Sequence, residues 1–188
     1  MEASNLTNMH KDVLREIGNI GAGNATTSMA ALINQKVQME VPSVALVTVN
    51  ELMDNIGGPE EMIVAVLFKI EGDVPGTVYF ILTIKDAEFI VEQMTKGSEV
   101  PFWNDGMLNE WTASILKEAG NILTGSYLSA LADFTGLHMK PTVPFLSVDM
   151  AAATLVTGLL EVSQMSDYAL IIDTQFSGME DGSGMRRK

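Results

Sequence analysis

Apolar residues recur at helical steps near the start of the chain. Met9, Val13, Ile17 and Ile20 fall on one stripe at four- and three-residue intervals, which predicts a helix over residues 7–20 with one face against a core. Trp111, Ile115, Ala119 and Ile122 repeat the stripe later. Gly21 and Gly23 follow the first stripe, and Asn24 is a capping residue type, so the pattern predicts a break and a second helix over about 25–34. Gly125 and Ser126 take those places in the later segment, ahead of a helix near 127–135. Each helix pair leads into Val-Pro and a strand, VPSVALVTV (41–49) and VPFLSVDM (143–150). Pro42 and Pro144 are expected at the strand starts, where a missing N–H costs least. Segments 61–70 and 77–84 flank the turn sequence EGDVPG and predict a β-hairpin. Residues 86–96 return to helix, 97–106 read as a linker, and YALIIDTQF (168–176) matches the hairpin's first arm. No return strand follows it, since 177–188 read as a flexible polar tail. Three explanations stay open: truncation, a genuinely missing strand, or a strand supplied by a neighbour across an uncovered edge.

The two halves also share polar positions at fixed spacing. Asp12, Glu16, Asn19 and Pro42 have counterparts in Ser114, Glu118, Asn121 and Pro144, a constant offset of 102 residues from Asp12 to Ser114. The intervals are three, two and twenty-two intervening residues in both copies. Neighbouring positions diverge: Gly21 corresponds to Leu123, Ala22 to Thr124, and Thr26 to Leu128. A repeat that only packed a core would keep its apolar residues and let surface polar ones drift. The expectation is one domain over 1–188, made of two repeats at about 7–96 and 107–176, each with an equivalent working site.

Composition narrows the functional classes. The chain has 188 residues, of which 47% are hydrophobic and 19% charged, which suits a folded domain with a sizeable core. The formal net charge of -13 and the lack of a basic stripe argue against nucleic-acid binding and suit a basic protein partner or simple solubility. There are no cysteines, which excludes disulfides and thiolate chemistry and fits a reducing compartment. A polar N-terminus and the lack of a long apolar run predict a cytoplasmic protein with no membrane contact.

Residues three apart on a helix project together, so Glu16 with Asn19, and Glu118 with Asn121, form two pairs. A carboxylate accepts from a lysine, while an amide both donates and accepts and can hold a water in a chosen orientation. The plain alternative is a solvated helix face, and a single Glu-x-x-Asn would mean little. Retention of both pairs amid divergent neighbours favours the functional reading. GNIGAGNA (18–25) lacks the preceding strand and the lysine of a phosphate loop, and a helix–helix junction explains its glycines better. His10 and His138 lie far apart with no carboxylate cluster at ligand spacing, so no metal site is expected. The thirteen methionines read mainly as core fillers.

The pattern Asp/Ser-x3-Glu-x2-Asn-x22-Pro, present twice without a gap, resembles the signature of the CheC, CheX and FliY phosphatases of bacterial chemotaxis. The likeness extends to about residue 176 and is nearest the CheC branch, because two signatures are present with no added flagellar-switch domain. It implies an α/β (α+β) fold with pseudo-two-fold symmetry: a central mixed or antiparallel sheet and two exposed signature helices. It further implies dephosphorylation of the response regulator CheY. Asn19 and Asn121 would each orient the attacking water, and Glu16 and Glu118 would each bind the regulator's lysine. Asp12 and Ser114 would have a lesser role, and Pro42 and Pro144 a structural one. No cofactor of the chain's own is implied, since Mg2+ would come with the regulator. A second partner, the receptor deamidase CheD, would meet SALADF (129–134), with Asp133 as the candidate contact. The absent return strand predicts that half two is the weaker site. Competing readings are a non-catalytic flagellar-switch binding module and an adaptor that mainly regulates CheD.

Overall fold

The computed structural model describes residues 7–34, 36–96, 98, 100–155 and 168–178. Two 26-residue helices dominate it, α1 (Asn8–Ile33) and α4 (Glu110–Thr135). Between them in sequence lie β1 (Val37–Thr48), α2 (Val49–Asn55), β2 (Met62–Gly72), β3 (Gly76–Thr83) and α3 (Ile84–Thr95). A short ribbon follows, β4 (Trp103–Asn104) with β5 (Met107–Leu108), turned at Asp105 and Gly106 with φ of 49° and 77°. After α4 come β6 (Met139–Pro141), β7 (Phe145–Met150), the helical residues 151–155, and β8 (Tyr168–Gly178).

The expected helix break does not occur. Both signature helices run straight through their glycines, and Asn24, rather than capping, accepts the Ser28 hydroxyl on its backbone carbonyl within α1. Gly21 and Gly120 serve packing instead, while Gly23 and Gly125 face open space. A Cβ on Gly21 would lie 2.5 Å from Tyr127 Cδ1 of α4, and one on Gly120 would lie 3.1 Å from Val66 of β2. A helical glycine costs about 1 kcal/mol against alanine, and close approach to these neighbours offsets it. True ends are set elsewhere. Thr7 and His10 form a reciprocal capping box, and Asn109 accepts from the Trp111 N–H. Asn34 and Gly136 close the two helices in left-handed conformation.

Every strand pairing is antiparallel. The hairpin β2–β3 forms where the two segments flank the turn sequence, in register from Ile63 with Thr83 to Ile70 with Gly76. On its other side β2 pairs with β6 and β7. β1 pairs with β8, so the second half's hairpin arm lies against the first half's opening strand. Pro42 is not at a strand start. It sits inside β1 at a bulge, where Val41 and Pro42 together oppose Thr174, a place that tolerates a residue with no N–H. Pro144 does stand immediately before its strand. The strand expected over 41–49 starts earlier, at Val37, and ends where α2 begins. β8 extends through Ser177 and Gly178, and the rest of the expected tail, 179–188, lies outside the described residues.

Burial follows from this layering. Met29 and Ile33 of α1, Val64 of β2, Ile90 and Val91 of α3, and Leu116 and Ala119 of α4 form one cluster from both halves. Val66, Phe68 and Ile70 meet Leu128, and Ile63 and Ala65 on the opposite face of β2 meet Ala151. β2 is therefore covered on both faces, which explains its nearly unbroken apolar sequence. The stripe expected to be buried is only partly so. Ile17 and Ala119 are inside, but Met9, Ile20 and Trp111 are 74%, 51% and 74% exposed. The buried face of α1 is instead Ile17, Gly18, Gly21, Ala22, Ala25, Met29 and Ile33. No helix among the described residues is long and apolar enough to cross a membrane.

Candidate functional site

A helix turns through 3.6 residues, so positions at steps of three, four and three share a face. Met9, Asp12, Glu16 and Asn19 stand at those steps along α1, and Trp111, Ser114, Glu118 and Asn121 along α4. All eight are exposed. The two Glu/Asn pairs therefore stand on equivalent outward faces, turned away from the small-residue faces that the helices bury. Glu16 and Glu118 have no hydrogen-bond or ion-pair partner among the described residues, which leaves both carboxylates free to receive an external cation.

The supporting positions behave differently in the two copies. Asp12 pairs with Arg15 at 3.2 Å on the open surface, an arrangement that contributes little to stability. Ser114 gives its hydroxyl hydrogen to the Glu110 carbonyl at 3.0 Å, one turn back in its own helix. Pro42, with Ser43 and Val44, forms one wall of an open cleft whose other wall is Lys11, Asp12 and Arg15. The cleft of the first half thus holds two cations, Lys11 and Arg15, with Asp12. Pro144 is half-buried, and its neighbours Val143 and Phe145 are exposed.

The asparagines differ most. The Val41 N–H donates to Asn19 Oδ1 at 2.9 Å, and Val41 is the last of the twenty-two residues that separate Asn19 from Pro42. No hydrogen bond joins the Asn121 side chain to any described residue. Asp133 is exposed in the last turn of α4, next to Phe134, also exposed. Among the described residues no group of three or more His, Asp or Glu side chains comes together as metal ligands would.

Three groups beside the pairs are misplaced or invisible in the sequence. Periodicity puts Met9 and Trp111 against the core, yet both are exposed and extend the signature spacing by three residues toward each helix start. The Val41 backbone group has no side-chain signal; only the fixed distance to the proline hinted at it.

A family model described as the CheC-like family matches residues 9–46 and 112–148, which contain both copies of the signature. The chain is 40% identical over 163 residues to the CheY-P phosphatase CheC of Bacillus subtilis (strain 168), covering 87% of this chain and 78% of that one. It is 30% identical over 131 residues to the flagellar motor switch phosphatase FliY of the same organism, covering 70% of this chain but 33% of that longer protein. In fold it resembles the crystal structure of Thermotoga maritima FliY, with a TM-score of 0.74, 22% identity, and coverage of 93% of this chain and 85% of that one. With both signature copies matched and the identity to CheC sustained along most of its length, the chain belongs to the CheC-like family.

Proposed function

We propose that the chain is a phosphatase that removes the aspartyl phosphate of a CheY-type response regulator, with one working site in each half. Asn19 and Asn121 each hold a water in line with the phosphorus. Glu16 and Glu118 each bind the lysine of the regulator's active site, which fixes the docking register. As the water oxygen bonds to phosphorus, the bond from phosphorus to the aspartyl oxygen breaks. Inorganic phosphate and the free carboxylate are the products. Little covalent help is needed, because an acyl phosphate is already activated and the barrier falls by positioning and charge stabilisation. A magnesium ion carried by the regulator supplies the neutralisation of charge on the phosphoryl oxygens.

The observation that carries this reading is the outward placement of both Glu/Asn pairs on equivalent helix faces, with both carboxylates unpartnered among the described residues. The name of the Bacillus subtilis relative, CheY-P phosphatase, supports the same substrate here. The expected test outcome is that Asn19→Ala with Asn121→Ala abolishes accelerated phosphate release from phosphorylated regulator while the far-UV circular dichroism is unchanged. Undiminished release from that double variant would defeat the mechanism. Taken singly, Asn19→Ala is expected to be the more damaging change.

The same proposal includes CheD as a second partner, meeting the exposed Asp133 and Phe134 at the end of α4. Asp133→Arg should weaken that complex, read by isothermal titration, and leave phosphate release as it was. Equal affinity of the variant would remove Asp133 from the contact.

A further inference from the structure

We propose that the backbone N–H of Val41, released from its strand by Pro42, is a positioning group that presets the Asn19 amide. Half one is then organised for catalysis before any partner arrives, and half two is not. This rests on the reading of Asn19 as the residue that orients water, and it assigns the signature proline a job.

A backbone N–H can only donate, so the atom it meets on Asn19 has to be the carbonyl oxygen. That settles which way round the amide lies. Oδ1 keeps a second lone pair for a water hydrogen, and the Nδ2 hydrogens face away from Val41. The donor is available because β1 bulges at this point. Register passes from Glu40 opposite Gln175 to Ser43 opposite Asp173, leaving Val41 and Pro42 opposite Thr174 alone. Proline contributes no N–H, so the ladder lapses there and the preceding amide turns toward α1. Gly18 allows the approach. A Cβ on it would stand 3.3 Å from Val41 Cγ1, tighter than an ordinary contact, while the Val41 side chain is buried against the helix.

Half two bulges at the matching place but spends its groups otherwise. Residues 142–144 stand between Pro141 opposite Ile70 and Phe145 opposite Leu67. The Thr142 N–H donates to the Lys69 carbonyl at 2.8 Å, and the Thr142 hydroxyl accepts from the Lys69 N–H at 3.1 Å. Glu40 occupies the Thr142 position in half one. Val143 is left 88% exposed rather than tucked beneath the helix, and Gly120 faces Val66 and Phe68 of β2 instead. The Asn121 amide therefore has no partner among the described residues and must be ordered at docking. An amide fixed in the free protein avoids that entropy cost at the moment of reaction.

The test replaces Val41 with its α-hydroxy acid, which turns the amide into an ester and deletes only the N–H. In a chain carrying Asn121→Ala, kcat for phosphate release should fall roughly five- to tenfold, about the weight of one hydrogen bond, with KM within about twofold. The effect should be non-additive: in a chain already carrying Asn19→Ala the ester removes nothing further. Side-chain 15N relaxation supplies a reading independent of activity. In the unaltered chain the Asn19 amide group should be rigid and the Asn121 group mobile, and the ester should make Asn19 as mobile as Asn121. Equal mobility in the unaltered chain, or an equal loss of kcat in both backgrounds, overturns the proposal. A chain with no phosphatase activity but a rigid Asn19 amide would refute the functional reading and leave the latch standing.

Discussion

At position 111 the chain presents an indole to solvent in the first turn of α4, held there by the Asn109 cap. A tryptophan that is 74% exposed, on the same face as Glu118 and Asn121, is suited to anchor a docked protein. Met9 is its counterpart on α1, softer and smaller. In a chain carrying Asn19→Ala, so that only half two works, Trp111→Ala is expected to raise KM for the phosphorylated regulator roughly tenfold and to leave kcat nearly unchanged. A Michaelis series decides this, and an unaltered KM would exclude the indole from the docking face. The Glu and Asn pairs were legible because they repeat at fixed spacing in polar residues. The exposure of Trp111 was not, for a physical reason: the buried face of α4 includes Thr112, Ala119, Gly120 and Thr124, and that of α1 Gly18, Gly21, Ala22 and Ala25, all of which carry little hydrophobic signal. Large apolar residues marked the helix correctly and misidentified its inner face.

Glycine makes the same point for whole elements. Read locally, Gly21 and Gly23 end a helix; in the fold they lie in the middle of one and do different things. Gly21 admits Tyr127 of α4, and a Cβ there would also press to 3.0 Å on the Tyr127 backbone, which cannot swing aside. Gly21→Ala should therefore lower stability by about 1–3 kcal/mol despite the better helix former, because overpacking outweighs propensity. Gly23 has nothing within 4 Å of an added Cβ, so Gly23→Ala should raise stability by about 0.5–1 kcal/mol. Urea midpoints of the two variants check both signs, and a stabilising Gly21→Ala would show that α1 and α4 do not meet as described. The β2–β3 hairpin was readable because its two apolar arms and the turn between them are adjacent in the chain. α2 was missed because its start depends on a box six residues past a strand proline: Thr48 accepts from the Glu51 N–H, and Glu51 Oε2 accepts from the Thr48 N–H at 2.7 Å. The Thr48 N–H and, at 2.9 Å, the Thr48 hydroxyl both donate to that carboxylate and hold the Glu51 carboxyl below its ordinary range.

Across the whole molecule the halves are joined by exchange of strands. The opening strand of half one, β1, pairs with β8 of half two, and the opening strand of half two, β7, pairs with β2 of half one. Sequence periodicity could supply the strands but not this reciprocity, since partners such as Val44 and Ile172 are far apart along the chain. It also gives the second half's arm, β8, its partner among the described residues. Neither repeat can complete its pairing alone, and the main core cluster draws Val64 from one half and Leu116 from the other. The two repeats should consequently unfold as one cooperative unit. Leu116 is fully buried, so Leu116→Ala should remove about 2–5 kcal/mol through lost burial and an unfilled cavity. Tryptophan fluorescence reports on the environment of Trp103 and Trp111, near the start of half two, whereas far-UV circular dichroism reports on both long helices. If the exchange of strands couples the halves, the two signals move together in urea, in the parent chain and in Leu116→Ala alike, with the midpoint lowered and the slope unchanged. If instead fluorescence shifts in the variant while a separate dichroism step stays at the parent midpoint, half one stands without half two and the coupling is refuted.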